Sequence, residues 1–299
     1  VNALGVSPGI QQVGVVGTVK NGGTLYLCGT PIGNLEDVTL RVLRVLGEAD
    51  LIAAEDTRHT RKLLSRYGIK TPLTSFHAHN RARKAPELLE RLRQGASVAL
   101  VSDAGMPGIS DPGAELAAQA VREGFNVVPV PGPSAVLAAL VVSGLRTDRF
   151  VFEGFLPRRG RKRALEGLRG ERRTVVLFEA PTRLLATLGD ILDVLGDRRV
   201  VVARELTKQH EEVFRGTVGE ARKHFTAHPP RGEFTLVLEG GAGEPVSLAP
   251  EPAALAAEVE ELQAAGSTRG KALREVARRH GMRRRELYGL VFGEDTPGK

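Results

Sequence analysis

The sequence has a single cysteine, Cys28, no tryptophan, three tyrosines and two methionines in 299 residues. One cysteine excludes an intrachain disulfide framework and any Cys-rich zinc site. Aromatic residues are only 4 % of the chain, too few for a protein that recognises nucleic acid mainly by stacking bases on rings. Long apolar runs are missing as well. The longest, residues 135–142, falls far short of the ~20 residues that a membrane-spanning helix needs. No basic segment precedes the apolar residues at the N-terminus, so no secretory signal is expected and the cytoplasm is the expected location. Residues 1–22, rich in Gly, Gln, Ser and Asn, read as a flexible extension.

The composition is otherwise that of a soluble globular chain, with 41 % hydrophobic and 26 % charged residues. Its length suggests two domains able to bury cores without staples. The 35 glycines are an excess that points to tight turns or to backbone lying close to a ligand. The net charge of +7 is concentrated: residues 158–173 and 269–286 each hold eight basic and two acidic side chains. Each stretch is therefore +6, and the remainder of the chain is mildly acidic. Two basic patches on a near-neutral body fit a binder of phosphate backbone. A pair of solvated helix faces is the plainer explanation.

Apolar, β-branched runs at 24–28, 51–54, 97–101, 127–130, 150–152, 174–178, 200–203 and 234–238 read as strands. Helical patterns lie between them, among them 81–94, 112–122, 183–195 and 219–224. This alternation predicts an α/β chain with crossover connections. We place an N-terminal α/β domain at 23–144 and a second at 145–242. The Gly, Pro and Ala content of 240–252 reads as a linker. Residues 250–293 then form a basic helical region, either a helix-turn-helix or a plain helical hairpin.

Five motifs stand out, four of them directly after an expected strand and the fifth around His77 and His79. Gly29-Thr30-Pro31-Ile32-Gly33-Asn34 is neither a dinucleotide fingerprint nor a Walker A loop. Glu55-Asp56-Thr57-Arg58 sets two carboxylates beside a cation, for acid/base work or for a plain helix cap by Asp56. His77 and His79 could bind a metal, but no Cys is near and further ligands are not evident, so no metal is expected. In Ser102-Asp103-Ala104-Gly105-Met106-Pro107, glycine and proline fix the backbone path ahead of a helix capped by Asp111 with Pro112 at its first position. Pro131-Gly132-Pro133-Ser134-Ala135 ends a strand and starts a helix. Strand ends of this kind are where α/β sheets bind ligands.

Taken in order, these motifs resemble those of the tetrapyrrole-methylase-like (class III) S-adenosylmethionine-dependent methyltransferases. Phe178-Glu179-Ala180-Pro181 and Gly232-Glu233-Phe234-Thr235 extend the match over roughly residues 23–240. Relatives acting on porphyrins usually carry Gly-Pro-Gly-Asp in the first loop. Pro31-Ile32-Gly33-Asn34 in its place favours the branch that methylates ribosomal RNA.

The resemblance implies two α/β domains with S-adenosyl-L-methionine in the cleft between them, and a homodimer. The donor site would be lined by Pro31, Gly33 and Asn34; by Ser102, Asp103, Ala104 and Gly105; by Pro131, Ser134 and Ala135; and by Phe178, Glu179, Glu233, Phe234 and Thr235. The implied reaction is 2′-O-methylation of a cytidine in the decoding centre of 16S rRNA, on the small ribosomal subunit. A base would help the poorly acidic hydroxyl, and Asp56 and His77 lead the candidates, ahead of His79 and Glu205. Arg58, Arg158, Arg159, Arg161, Lys162, Arg163, Lys208, Arg283, Arg284 and Arg285 would contact RNA. The alternatives are C-methylation of a tetrapyrrole such as uroporphyrinogen or precorrin, and an RNA-binding protein without activity. The latter is disfavoured by glycine loops that are all in place.

Overall fold

The computed structural model describes residues 22–241, 252–280 and 282–292. Most of the expected N-terminal extension and linker lies outside them. The chain divides into two compact units, Val1–Gly241 and Ala242–Lys299.

The first unit contains two five-stranded sheets. The first sheet is built from β1 (Thr24–Cys28), β2 (Leu51–Ala54), β3 (Leu73–Ser75), β4 (Ser97–Val101) and β5 (Asn126–Val130), in the order β3-β2-β4-β1-β5 and parallel throughout. The crossovers towards the β3 edge run through α1 (Leu40–Glu48) and α2 (Thr57–Arg66). Those towards the β5 edge run through α3 (Arg81–Arg93) and α4 (Gly113–Arg122). Crossovers of one hand that travel in opposite directions must lie on opposite faces. The core follows this rule. Val42, Leu46, Leu63 and Leu64 pack with Ile52 and Val101 on one face, and Leu88, Leu92, Leu116 and Ala120 pack with Leu25 and Leu100 on the other. Strands covered on both faces are apolar at nearly every position, which is why they were readable as continuous runs.

The second sheet holds β6 (Phe150–Phe155), β7 (Thr174–Glu179), β8 (Arg199–Arg204), β9 (Glu212–Thr217) and β10 (Phe234–Leu238), in the order β6-β7-β10-β8-β9. Only the β6–β7 pair is parallel. On one face lie α6 (Arg161–Glu166), α7 (Leu184–Leu195) and α8 (Val218–Ala227), around Leu165, Leu188, Ile191 and Phe225. The other face is covered by α5 (Ala135–Ser143), whose Val136, Ala139 and Leu140 pack on Val176, Val201 and Val237. This helix leaves the carboxyl end of β5 and lies on the second sheet, so it fixes the two sheets relative to each other. Its apolar composition all round suits that bridging position.

The expected α/β class is borne out. Two strands were not foreseen, β3 and β9. Both are edge strands without a fully buried position, so neither carries an apolar run. The helix after residue 111 starts at Gly113, with Pro112 as its N-cap residue. Asp111 still closes that end, because its carboxylate accepts from the N–H groups of Gly113 (2.6 Å) and Gly108 (2.8 Å).

The second unit contains α9 (Pro252–Ala264), α10 (Arg269–Arg279) and α11 (Arg284–Phe292), around Leu255, Val259, Leu273, Val276 and Leu287.

Candidate active site

The carboxyl ends of the first sheet form one continuous edge, tied across its strands by hydrogen bonds. Beyond β3 and β2, the Phe76 N–H donates to the Ala54 carbonyl at 2.7 Å. Between β2 and β4, the Asp56 N–H donates to Asp103 Oδ1 at 2.8 Å. Between β4 and β1, Thr30 and Gly105 exchange backbone hydrogen bonds of 2.9 and 3.0 Å. Between β1 and β5, the Gly29 N–H donates to the Val130 carbonyl at 3.0 Å. Gly29 and Gly132 then touch backbone to backbone: a methyl on Gly132 would lie 2.5 Å from the Gly29 oxygen. Glycine is needed at both positions because the chains are this close.

This edge faces a cavity of about 440 Å³, whose opposite wall comes from the second sheet. Of the residues expected at a donor site, Ser102, Asp103, Ala104, Gly105, Ser134, Ala135, Phe178, Glu179, Glu233, Phe234 and Thr235 line it. Pro31, Gly33, Asn34 and Pro131 are not part of this lining. In the 31–34 loop only Ile32 faces the cavity. The loop is drawn instead to the turn after β8, where the Asn34 N–H donates to Thr207 Oγ1 at 3.0 Å. Gly33 lies so close to Leu206, Thr207 and Lys208 that a side chain there would collide with them.

The cavity suits a cationic nucleoside. Its volume lies in the range of small-molecule sites. Asp103, Glu55 and Asp111 supply negative charge, Ser102 and Thr235 supply hydroxyls, and Ile32, Met106, Phe155, Phe178 and Phe234 supply apolar surface. Glu179 serves its own wall. It is 2 % exposed, accepts from the Ala180 N–H at 2.8 Å and pairs with Arg183 at 3.2 Å. A carboxylate this buried is tolerated only with such partners.

The base candidates separate by geometry. Asp56 caps α2, accepting from the Arg58 N–H at 2.8 Å, and forms a 2.7 Å ion pair with the Arg58 guanidinium. These bonds from Arg58 hold its carboxyl well below the usual carboxylate range, which makes it a weak proton acceptor. His77 follows β3 at the same sheet edge but is not part of the cavity lining, and its Nδ1 is buried with no partner among the described residues. His79 is exposed and its ring centroid lies 6.0 Å from that of His77. Glu205 is held by Lys208 Nζ at 2.9 Å.

The sequence set Glu55 beside Asp56 as a carboxylate for acid/base work but did not rank it among the bases or at the donor site. Glu55 lines the cavity, and burial, together with the charges of Asp103 and Asp111, raises its pKa. The available signal was its position: it directly follows β2, as Ser102 directly follows β4.

The basic residues are scattered in role. Arg161 is engaged by Asp190 at 2.6 Å and Lys162 by Asp193 at 2.9 Å, whereas Arg158, Arg159 and Arg163 are exposed. Lys208 bridges Glu205 and Glu233. Arg283, Arg284 and Arg285 are exposed at the start of α11. Among the described residues there is no cluster of three metal-ligating side chains, and no helix is long and apolar enough to cross a membrane.

Comparison with known proteins places this geometry in a family. The family model for Tetrapyrrole (Corrin/Porphyrin) Methylases matches residues 24–222. A ribosomal RNA small subunit methyltransferase I from Synechocystis sp. is 51 % identical over 279 residues, covering 92 % of this chain and 100 % of that protein. The protein of the same name from Thermotoga maritima is 55 % identical over 219 residues, 73 % of this chain and 99 % of its own. The one from Bacillus subtilis is 44 % identical, covering 89 % and 93 %. Among solved structures, a cobalt precorrin-4 methyltransferase superposes with a TM-score of 0.58 at 20 % identity, covering 76 % of this chain and 98 % of its own. A diphthine synthase gives 0.56 at 16 % identity, covering 73 % and 90 %. These two likenesses are of fold alone. The chain belongs to the tetrapyrrole methylase family and, within it, to the ribosomal RNA small subunit methyltransferase I group of methyltransferases.

Proposed function

We propose that the chain transfers a methyl group from S-adenosyl-L-methionine to the ribose 2′-oxygen of a cytidine in the decoding centre of 16S rRNA, with the small ribosomal subunit as its substrate. The observation that carries this reading is the 51 % identity to a ribosomal RNA methyltransferase across that protein's whole length. The tetrapyrrole alternative is supported only at the level of fold, since the solved porphyrin and corrin methylases are 20–24 % identical.

The donor, when bound, supplies a methyl carbon on a sulfonium, which is already strongly electrophilic. The protein's share is to align the reactants, and alignment alone is worth about 7–11 kcal/mol in favourable cases. Asp103 and the 102–105 backbone would hold one side of the donor, with Phe178 and 233–235 on the other. Glu55 is the carboxylate in the cavity best suited to take the 2′-hydroxyl proton, because its raised pKa makes it the stronger base. The wall loops provide backbone and carboxylates but few rings, which fits recognition of a preformed ribosomal surface better than stacking of free RNA.

A homodimer forms part of the proposal. On α5, opposite its packed side, Leu137 and Val141 are 53 % and 71 % exposed. An apolar face of this kind on a bridging helix suits a second copy of the chain. Action in the cytoplasm is proposed with it, since that is where small subunits are found.

The test is to offer labelled donor to unmodified small subunits, naked 16S rRNA and a porphyrinogen in parallel. Label in the RNA, with subunits preferred over naked RNA, is the expected result. Label in the porphyrinogen alone would transfer the protein to the small-molecule branch.

A further inference from the structure

A second concavity, of about 370 Å³, adjoins the first and is lined by Arg204, Glu205, His210, Arg231 and Gly232. Gly232 lines both cavities, so the second opens at the rim of the first. Here we propose a phosphodiester-binding subsite that holds the backbone phosphate next to the target ribose. The proposal rests on the RNA reading above and extends it to residues outside the two basic stretches.

The site is built rather than incidental. Arg204, at the end of β8, donates from Nε to the Arg231 carbonyl at 2.8 Å and from Nη1 to Glu212 at 3.1 Å. Its guanidinium is therefore fixed, and it fixes the backbone that carries Arg231. Glu205 and Thr207 adopt left-handed backbone, with φ of 49° and 65°. This is uncommon for Glu and rare for a β-branched residue, and such strain gathers at functional sites. Gly232 is left-handed too, at φ 81°, and a side chain there would collide with Glu205. Gly232 thus stands in the wall of both cavities, with no room for a side chain beside Glu205.

Charge selects the ligand. The one carboxylate in the lining, Glu205, is already satisfied on Oε1 by Lys208 Nζ and by the Glu233 N–H, both at 2.9 Å. Arg231 is exposed, and neither its guanidinium nor the His210 ring has a hydrogen-bond or ion-pair partner among the described residues. Two guanidinium groups and an imidazole around a concavity favour an anion, and the planar fork of Arg matches phosphate oxygens. A ribose in the main cavity carries a phosphodiester on each side. The strand must therefore cross the rim within one nucleotide, and this concavity lies on that rim.

The experiment measures methyl transfer to small subunits as a function of salt for the unaltered protein, Arg231→Ala, Arg231→Lys and His210→Ala, with donor affinity measured separately. For Arg231→Ala the expected result is a KM for subunits raised about tenfold, the loss of one charge-assisted hydrogen bond. The slope of log affinity against log salt should shrink by about 0.7–0.9, one phosphate contact on single-stranded RNA or duplex. Arg231→Lys should restore the slope, His210→Ala should raise KM by a smaller factor, and donor affinity should stay unchanged throughout. An unchanged KM and slope in Arg231→Ala, with the unaltered protein active, would overturn the subsite alone. Weakened donor affinity with an unchanged KM for subunits would show that the anion held is the donor's carboxylate, and would overturn it as well. Failure of the unaltered protein to methylate RNA would remove the function, and the subsite with it.

Discussion

The carboxylate of Asp103 accepts a 2.8 Å hydrogen bond from the backbone N–H of Asp56. This bond ties the segment after β4 to the segment after β2, and it leaves the rest of the Asp103 carboxylate facing the main cavity. One side chain therefore both shapes the site and supplies its charge.

Asp103→Ala is expected to lower donor affinity by at least about tenfold, the scale of one lost charge-assisted hydrogen bond. Asp103→Asn keeps an acceptor for Asp56 but removes the charge, so it should fold like the unaltered protein and still bind donor weakly. Equilibrium dialysis with labelled S-adenosylmethionine measures both. Equal affinity in all three proteins would show that the donor does not use Asp103.

Glu55→Gln should reduce methyl transfer by about 10²–10⁴-fold, the usual contribution of a positioned base, with donor affinity little changed. It should also alter stability with a definite sign. Burial and neighbouring carboxylates raise the Glu55 pKa in the folded chain. The stability linked to this group is therefore fully present below its ordinary pKa and is lost as pH rises through the raised, folded value. Glutamine does not ionise, so the variant should gain Tm relative to the unaltered protein between acidic and neutral pH. A Tm difference that is constant across that window would contradict the assignment of a raised pKa.

Gly132→Ala places a methyl 2.5 Å from the Gly29 oxygen and 2.9 Å from its Cα. Both neighbours are backbone, so β1 and β5 must separate at their carboxyl ends. The expected cost is about 1–3 kcal/mol in urea unfolding, in the range of overpacked interiors, together with weaker donor binding. An unaltered midpoint would mean that the two strand ends are less tightly joined than described.

Cys28 is fully buried, and burial pushes its thiol up to about 12. Since the thiolate is the reactive form, a disulfide-exchange reagent should leave the folded protein unlabelled at pH 8 and modify one thiol after denaturation. Rapid labelling of the folded protein would contradict the described core.

The strands of the first sheet were legible because they are covered on both faces. Thr24–Cys28, Leu51–Ala54 and Ser97–Val101 end where their apolar runs do. Leu73–Ser75 and Glu212–Thr217 were not, since a partly exposed edge strand has no such run. In the site, Ser102–Gly105 and Ser134 could be located as strand ends without coordinates. The choice between Glu55 and Asp56 could not. Adjacent residues leave a strand in opposite directions, and only the start of α2 at Thr57 decides that Asp56 turns back as its cap while Glu55 remains in the cavity. The second concavity was equally hidden, because it joins Arg204 and His210 to Arg231 through a turn whose shape depends on left-handed Glu205 and Thr207.

The most direct test of the central claim is the chemistry of the product. Unmodified small subunits are incubated with the protein and methyl-labelled S-adenosylmethionine, and the recovered 16S rRNA is hydrolysed in alkali. A 2′-O-methyl group blocks cleavage of the adjoining phosphodiester, so the predicted result is label in a single alkali-resistant dinucleotide that begins with cytidine. Label released as a mononucleotide would place the methyl on a base and contradict the account.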